Sequence, residues 1–237
     1  MNKVFQFKQF SVNQDKCAMK IGTDGVLLGS WATINHEPLS VLDIGTGTGL
    51  IALMLAQRSY AETIEALEID DNAYEQAAEN FENSPWPDRL FCYHAGFLEF
   101  VEEIDDEYDL IVSNPPFYTE DYKTDNPQRD IARFNDALPF EHLLYGTSKL
   151  LSKNGKAAFI IPFSEEQNFI TLAQQFKLVP NRITHVKGTA TSKIKRSLLE
   201  FSFIKTDLTT SELIIEHSRH EYTQDYINLT KDFYLKM

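Results

Sequence analysis

A run of glycines directly after a short apolar segment restricts the fold of this chain more than any other feature. The apolar segment 41–44 is typical of a buried strand, and it leads into Gly45-Thr46-Gly47-Thr48-Gly49. Residues 50–58 then have helical character. Glycine lets the backbone turn sharply and approach a ligand without a Cβ in the way, and the helix start beyond it presents unpaired N–H groups. The sequence therefore predicts a strand–loop–helix unit that binds a ligand.

The spacing of the glycines distinguishes between two cofactors. A dinucleotide site has the pattern G-x-G-x-x-G, whose third glycine would stand where this chain has Leu50. The pattern found here, G-x-G-x-G, favours S-adenosylmethionine (SAM) over NAD. Glu68 follows the next predicted strand, where a carboxylate can accept hydrogen bonds from the ribose hydroxyls of either cofactor. Ile69 is placed to pack on the adenine, and we expect Asp70 or Asp71 to cap the next helix.

Strand-like and helical segments alternate from residue 41 onward. This alternation predicts an α/β fold with a mostly parallel sheet that helices cover on both faces. We expect a Rossmann-like sheet of seven strands whose last pair is antiparallel. Ligands of such sheets bind beyond the carboxyl ends of the strands.

A small cap is predicted in front of this sheet. We expect residues 1–36 to form a short hairpin, 5–12 with 16–20, and a helix that Thr23 or Asp24 caps. Residues 37–237 would form the SAM-binding α/β body, so that the chain is one structural domain overall. An amphipathic helix is predicted at 222–236.

A second motif, Asn114-Pro115-Pro116-Phe117-Tyr118, follows the strand predicted at 108–113. Prolines lack backbone donors and fix φ, and each holds the preceding residue extended. The result is a stiff arm with outward carbonyls. The side-chain oxygen of Asn114 and the carbonyl of Pro115 can accept the two hydrogens of an amino group. Phe117, or Tyr118, offers a flat face for a base to stack on. The motif predicts methyl transfer to an exocyclic amino nitrogen, mainly by positioning.

Charge is distributed unevenly along the chain. The net charge of −13 argues against a protein that coats nucleic acid through bulk electrostatics. Bases nevertheless concentrate between residues 177 and 205, against one acid, Glu200. Such a stretch is either a solvated face or one side of a polyanion site. The candidate phosphate contacts are Lys193, Lys195, Arg196 and, in the long connection 119–138, Arg129 and Arg133.

Other features limit the cellular setting. No apolar run approaches the ~20 residues that span a bilayer, and the first residues lack the apolar block of a signal peptide. Cys17 and Cys92 show no CxxC spacing, which predicts free thiols in a reducing compartment. We expect a cytoplasmic protein that needs neither membrane nor metal, and the oligomeric state stays open.

The chain resembles the class I SAM-dependent methyltransferases that modify amino groups and carry an (N/D/S)-P-P-(F/Y/W) signature. Further segments narrow the resemblance to the bacterial tRNA(Val) (adenine-37-N6)-methyltransferases. These segments are Phe5-Gln6-Phe7-Lys8-Gln9-Phe10, residues 17–29, Arg129-Asp130-Ile131-Ala132-Arg133 and Lys195-Arg196-Ser197-Leu198-Leu199-Glu200. The resemblance implies that SAM is the cofactor and that adenosine 37 of a valine tRNA is the substrate.

The resemblance also implies that Lys20, Thr23 and Asp24 approach the methionine part of SAM. Such enzymes usually carry an acidic residue after the third strand, where this chain has Gly96 followed by Phe97. The expected cofactor contacts are Lys20, Thr23, Asp24, Asp43, Gly45, Thr46, Gly47, Gly49, Glu68, Ile69, Phe97 and Asn114.

Three other functions fit the same motifs. Asn-Pro-Pro suits an amide nitrogen equally well, as in glutamine N5-methylation of a release factor. Those enzymes usually carry a larger N-terminal helical domain, and tyrosine where this chain has Phe117. Guanine N2-methylation of ribosomal RNA uses similar chemistry. The third is a non-catalytic factor that binds SAM and RNA, and the intact motifs speak against it.

Overall fold

The structure is a computed structural model that describes residues 4–116 and 138–237. Its strands are β1 (Phe5–Gln6), β2 (Ser11–Val12), β3 (Ser40–Ile44), β4 (Thr63–Glu68), β5 (Leu90–His94), β6 (Tyr108–Ser113), β7 (Leu151–Pro162), β8 (Val179–Lys187), β9 (Ile194–Ser202), β10 (Thr209–Ile214), β11 (Glu216–Ser218) and β12 (Glu221–Tyr222). Its α-helices are α1 (Thr23–Trp31), α2 (Leu50–Arg58), α3 (Asp71–Glu82), α4 (Phe97–Glu103), α5 (Phe140–Leu150), α6 (Glu166–Gln175) and α7 (Gln224–Thr230), and a 3-10 turn covers Phe163–Glu165.

One large sheet has the strand order β10-β8-β9-β7-β6-β3-β4-β5. Strands β3 to β7 are mutually parallel, whereas β9 runs antiparallel to both β7 and β8. The predicted Rossmann-like α/β sheet is confirmed, and all seven expected strands are present. An eighth strand, β10, extends the edge beside β8. Strand β10 was not predicted from the sequence, because its first four residues are polar and exposed, which hides any alternation of apolar side chains.

The two faces of the sheet are buried in two separate cores. In β6, Leu110 and Val112 belong to the core that α1 and α2 cover. Ile111, between them, belongs to the core under α4, α5 and α6. This alternation follows from the period of two along a strand, so both faces are apolar, as expected of a parallel sheet. No helix in the described ranges is long and apolar enough to cross a membrane.

The N-terminal cap differs from its prediction in three ways. The hairpin is limited to the pairing of β1 with β2, and residues 16–20 form no strand. The backbone N–H of Lys16 instead donates to Gln76 Oε1 on α3, at 2.9 Å. Neither Thr23 nor Asp24 caps α1, because its N-cap is the extended residue Gly22, without a side-chain cap hydrogen bond.

The chain's last helix is also shorter than predicted, since α7 covers Gln224–Thr230 only. Asp70, in contrast, caps α3 as predicted: its carboxylate accepts a hydrogen bond from the N–H of Ala73 at 2.8 Å. The division of the chain at residue 36 stays a prediction.

Candidate active site

The carboxyl ends of adjacent strands bring the two predicted motifs together. Ile44, the last residue of β3, pairs with Leu67 of β4 and with Ser113 of β6. Gly45 and Asn114 are the next residues, so the glycine loop and the Asn-Pro-Pro arm leave the sheet from neighbouring strands, about 4.8 Å apart. The Ser113 hydroxyl fixes this junction by donating to the Ile44 carbonyl oxygen at 2.8 Å. A ligand in the loop and a group held by Asn114 would therefore be in contact.

The glycine loop turns through left-handed backbone conformations at Gly45, Gly47 and Gly49, with φ of 70°, 59° and 79°. Among the described residues, a Cβ on Gly45 or Gly47 would meet no atom within 4 Å. These two glycines therefore border open space, where a ligand can approach the backbone. Gly49 has a different role, since a Cβ there would lie 2.5 Å from the ring of Phe81. It lets α3 pack closely against the loop.

Glu68 is held rigidly beside this loop. Its Oε2 accepts the N–H of Gly47 at 2.8 Å. Its Oε1 accepts the N–H groups of Ile69 and Asp70 at 2.9 and 3.0 Å. A carboxylate can accept about four hydrogen bonds, so Glu68 keeps acceptor capacity for about one further hydrogen bond, as from a ligand hydroxyl. Ile69, next to it, leaves 60% of its surface exposed, a large apolar face at the rim of the site.

Asp43 lies under the loop and is fully buried. Its Oδ2 accepts the Thr46 hydroxyl at 2.6 Å and the Ala52 N–H at 3.2 Å. Its Oδ1 has no hydrogen-bond partner among the described residues. Burial raises the pKa of Asp43 to about 7, against the opposing effect of these two hydrogen bonds. Asp43 therefore supports the loop from below, whereas the open backbone faces of Gly45 and Gly47 beside the Glu68 carboxylate are the features that fit SAM.

The N-terminal segment 13–24 forms a further wall of the site. The Asn80 amide on α3 donates to the carbonyls of Asn13 and Thr48 at 2.9 and 2.8 Å, and so ties the segment to the glycine loop. Burial, followed by the negative charge of nearby Glu68, raises the pKa of the Cys17 thiol to about 11. The segment therefore passes close to the predicted ribose ligand.

The three residues of this segment that were predicted to approach methionine take different positions. Lys20 donates from Nζ to the carbonyls of Gln14 and, at 3.2 Å, Cys17, within its own segment. Thr23 is exposed at the first position of α1. Asp24 accepts a hydrogen bond from Arg196 Nε at 2.8 Å. The structure thus joins one predicted cofactor contact to one predicted phosphate contact.

The basic stretch is partly occupied by structural interactions. Arg182 binds Glu200 at 3.1 Å and stacks on the ring of Trp31, and Lys187 binds Glu212 at 2.6 Å. Among the described residues, Lys193 and Lys195, beside the start of β9, are exposed bases at the edge of the sheet where the parallel strands β3 to β7 end (the reaction edge). Phe117, Tyr118, Arg129 and Arg133 lie outside the described residues, so their assignments stay predictions.

Comparison with known proteins identifies the family. Residues 25–161 match the family model of the methyltransferase small domain. A protein of Flavobacterium psychrophilum named tRNA1(Val) (adenine(37)-N6)-methyltransferase is 66% identical over 99% of this chain and 100% of its own length. One of the same name from Bacteroides fragilis is 49% identical over 98% of each chain. The chain belongs to this methyltransferase family.

Solved structures agree on the fold of this methyltransferase. A predicted O-methyltransferase of Agrobacterium tumefaciens superimposes with a TM-score of 0.69, covering 89% of this chain and 96% of that one at 19% identity. TYW2 of Pyrococcus horikoshii, solved with MeSAdo, gives a TM-score of 0.58 over 84% of this chain and 70% of that one at 12% identity. The class I methyltransferase fold is therefore confirmed.

Gly96 stands where related enzymes usually carry an acidic residue, and the structure places another acid, Glu99, close to it. A Cβ on Gly96 would lie 3.8 Å from Glu99 Oε2 and 3.9 Å from Ile69 Cδ1. The carboxylate of Glu99, in the first turn of α4, therefore lies near the exposed side chain of Ile69. The ring of Phe97 is buried, because Gly146 on α5 leaves room for it. Only the backbone of Phe97 can reach the site, and its role as a contact stays a prediction.

Asp43 generates a prediction about stability and pH. Because its pKa is raised from 3.8 to about 7 on folding, the folded protein binds this proton more tightly than the unfolded chain. Its contribution is fully present below pH 4 and is lost as pH rises through about 7. In Asp43→Asn, the amide oxygen can still accept from Thr46 and Ala52, but nothing titrates. Between pH 5 and 7, we expect the free energy of unfolding of the natural protein to fall more steeply with pH than that of Asp43→Asn. The two slopes should differ by up to about 1.4 kcal/mol per pH unit. Urea unfolding without ligand measures this, and equal slopes would refute it.

Proposed function

We propose that this methyltransferase transfers the methyl group of SAM to the N6 amino nitrogen of adenosine 37 in a valine tRNA. The observation that carries the chemistry is the pairing of Ile44 with Ser113, which sets the glycine loop beside Asn114. The names of the full-length relatives supply the substrate. Glutamine methylation and a non-catalytic role remain as outcomes of the experiments below.

The cofactor site distributes its tasks over separate residues. SAM, when bound, supplies an electrophilic methyl group on a positively charged sulfur. The open faces of Gly45 and Gly47 admit the ligand, and the remaining acceptor position of the Glu68 carboxylate accepts a ribose hydroxyl. Asp43 holds the loop in shape from below, by accepting the Thr46 hydroxyl. Ile69 covers one face of the adenine, and we assign to Glu99 the acceptor for its amino group.

The Asn-Pro-Pro arm positions the amine that is methylated. The Asn114 side-chain oxygen and the Pro115 carbonyl accept its two hydrogens, which draws the nitrogen lone pair away from the ring and towards the methyl group. Both residues are at least half-buried, and limited access of water strengthens such hydrogen bonds. The nitrogen becomes cationic as it is methylated, so its proton is acidic and leaves to water. No strong general base is needed, and the rate depends on alignment.

Replacement of Asn114 tests this mechanism. Asn114→Ala removes one of the two acceptors, so we expect kcat for methylation of a tRNA(Val) transcript to fall about 100-fold or more. SAM affinity, measured by calorimetry, should change much less. Asn114→Asp keeps an acceptor oxygen and should retain a larger share of the rate.

The readout is N6-methyladenosine in the digested transcript, with a transcript carrying guanosine at position 37 as the negative control. Near-natural turnover by Asn114→Ala would refute the role of the arm. If label from SAM enters only protein when total RNA and protein extract are offered together, the substrate is a protein and the RNA proposal fails.

The assignment of Glu99 is tested on the cofactor alone. Loss of a hydrogen bond to a charged acceptor costs about 1.5–3 kcal/mol, so Glu99→Ala should weaken SAM binding by about tenfold or more. Glu102→Ala is the matched control, since Glu102 is an exposed acid on the same helix α4. If both variants bind SAM like the natural protein, Glu99 does not contact adenine.

Lys193 and Lys195 generate a prediction about salt dependence. If both lysines bind phosphates, the double variant Lys193→Gln/Lys195→Gln should bind tRNA more weakly. The slope of log affinity against log salt concentration should become shallower by about 2. Lys153→Gln is the control, because Lys153 is exposed near the amino end of β7, at the opposite edge of the sheet. An unchanged slope in the double variant would make both lysines a solvated face.

A further inference from the structure

An ion pair joins the two halves of the site across 172 residues of sequence. Arg196 Nε lies 2.8 Å from Asp24 Oδ2. The two side chains are only 28% and 29% exposed, so water screens the pair incompletely. Such a charge-assisted hydrogen bond is stronger than a neutral one. The pair is therefore a specific contact and not an incidental meeting of surface charges.

Arg196 provides the fixed side of this contact. It lies in β9 between two neighbouring strands, opposite Pro162 at the end of β7 and opposite Val186 of β8. Its guanidinium also donates to the Lys195 carbonyl at 3.1 Å. Ladders on both sides hold the backbone of Arg196 in place at the reaction edge.

Asp24 is on the side that needs support. It stands in the first turn of α1, directly after the segment that Asn80 links to the glycine loop, and no side chain caps that helix start. The other end of the segment is fixed, because the Asn13 N–H donates to Asn80 Oδ1 at 2.8 Å. In between, the Ile21 N–H donates to Gln14 Oε1 at 2.9 Å. The ion pair thus secures the second end of a wall whose first end is tied to α3.

We propose that Arg196 is a positioning residue for the cofactor, which acts through Asp24 to hold the segment 13–24 against the glycine loop. This role replaces the phosphate contact that the sequence suggests for Arg196. It rests on the proposed function only in taking SAM as the ligand of the loop. Without Arg196, Asp24 keeps a partly buried charge that has lost this partner, and the segment loses its anchor on β9.

The role is measured by calorimetric titration of SAM into the full chain without RNA. Arg196→Gln and Asp24→Asn should each raise the SAM Kd by about tenfold, and the double variant should raise it by much less than the product of the two single effects, because the two changes remove one shared contact. Lys187→Gln is the matched control: it breaks the 2.6 Å pair with Glu212 at the same sheet edge, and its SAM Kd should stay within about twofold. Urea midpoints of all variants separate local loosening from failure to fold.

A second measurement distinguishes positioning from phosphate binding. Arg196→Gln should leave the salt slope of tRNA binding unchanged, whereas a lost phosphate contact would lower it by about 1. Arg196→Lys keeps the charge but not the planar guanidinium, so its SAM Kd should lie between those of the natural protein and Arg196→Gln. A reduced salt slope together with an unchanged SAM Kd overturns the inference. Because the first titration contains no RNA, failure of tRNA methylation would leave its result intact.

Discussion

Backbone hydrogen bonding between β3 and β6 determines where chemistry can occur in this molecule. The pairing of Ile44 with Ser113 sets the register, and the two loops that follow must then emerge side by side. Register in a sheet buried on both faces is strongly specified, since a slip by one residue would exchange the two apolar faces. The cores under α1–α2 and α4–α6 therefore hold the reaction site in place, although none of their side chains takes part in the reaction.

The reaction edge carries acidic residues on one part and basic residues on another, and the two proposed substrates, SAM and tRNA, are oppositely charged. Its acidic part, with Asp43, Glu68 and Glu99, surrounds the ends of β3, β4 and β5 and suits a cationic cofactor. Its exposed bases, Lys193 and Lys195, stand at the start of β9, on the far side of the Asn-Pro-Pro arm. Opposite charges at one edge can orient a polyanion so that only its amino group meets the acidic part. This arrangement reconciles an RNA substrate with a net charge of −13.

Features coded by neighbouring residues were predictable from the sequence, and features coded by distant pairs were not. The apolar run of β6 indicates a buried strand, and the glycines after β3 indicate a tight turn. Both signals are local, so the sheet and both motifs could be predicted. The pairing of Asp24 with Arg196 has no local signal, and neither has the neutralisation of Lys187 by Glu212. Counting charges along the chain therefore overestimated the free basic surface. Glu99 was not predicted as a site residue, because the sequence after β5 does not show that a helix begins there. The first turn of this helix, α4, brings the Glu99 carboxylate back towards Gly96.

The burial of Cys17 gives this wall of the site a chemical signature. Burial raises the pKa of this thiol to about 11, so very little of it is ionised at neutral pH. Since the thiolate is the reactive form, the buried sulfur should react only slowly with alkylating reagents. Exposure to water would return the pKa towards its ordinary value and speed the reaction greatly. The rate at which the Cys17 sulfur is alkylated would therefore report how far the segment 13–24 shields it from water.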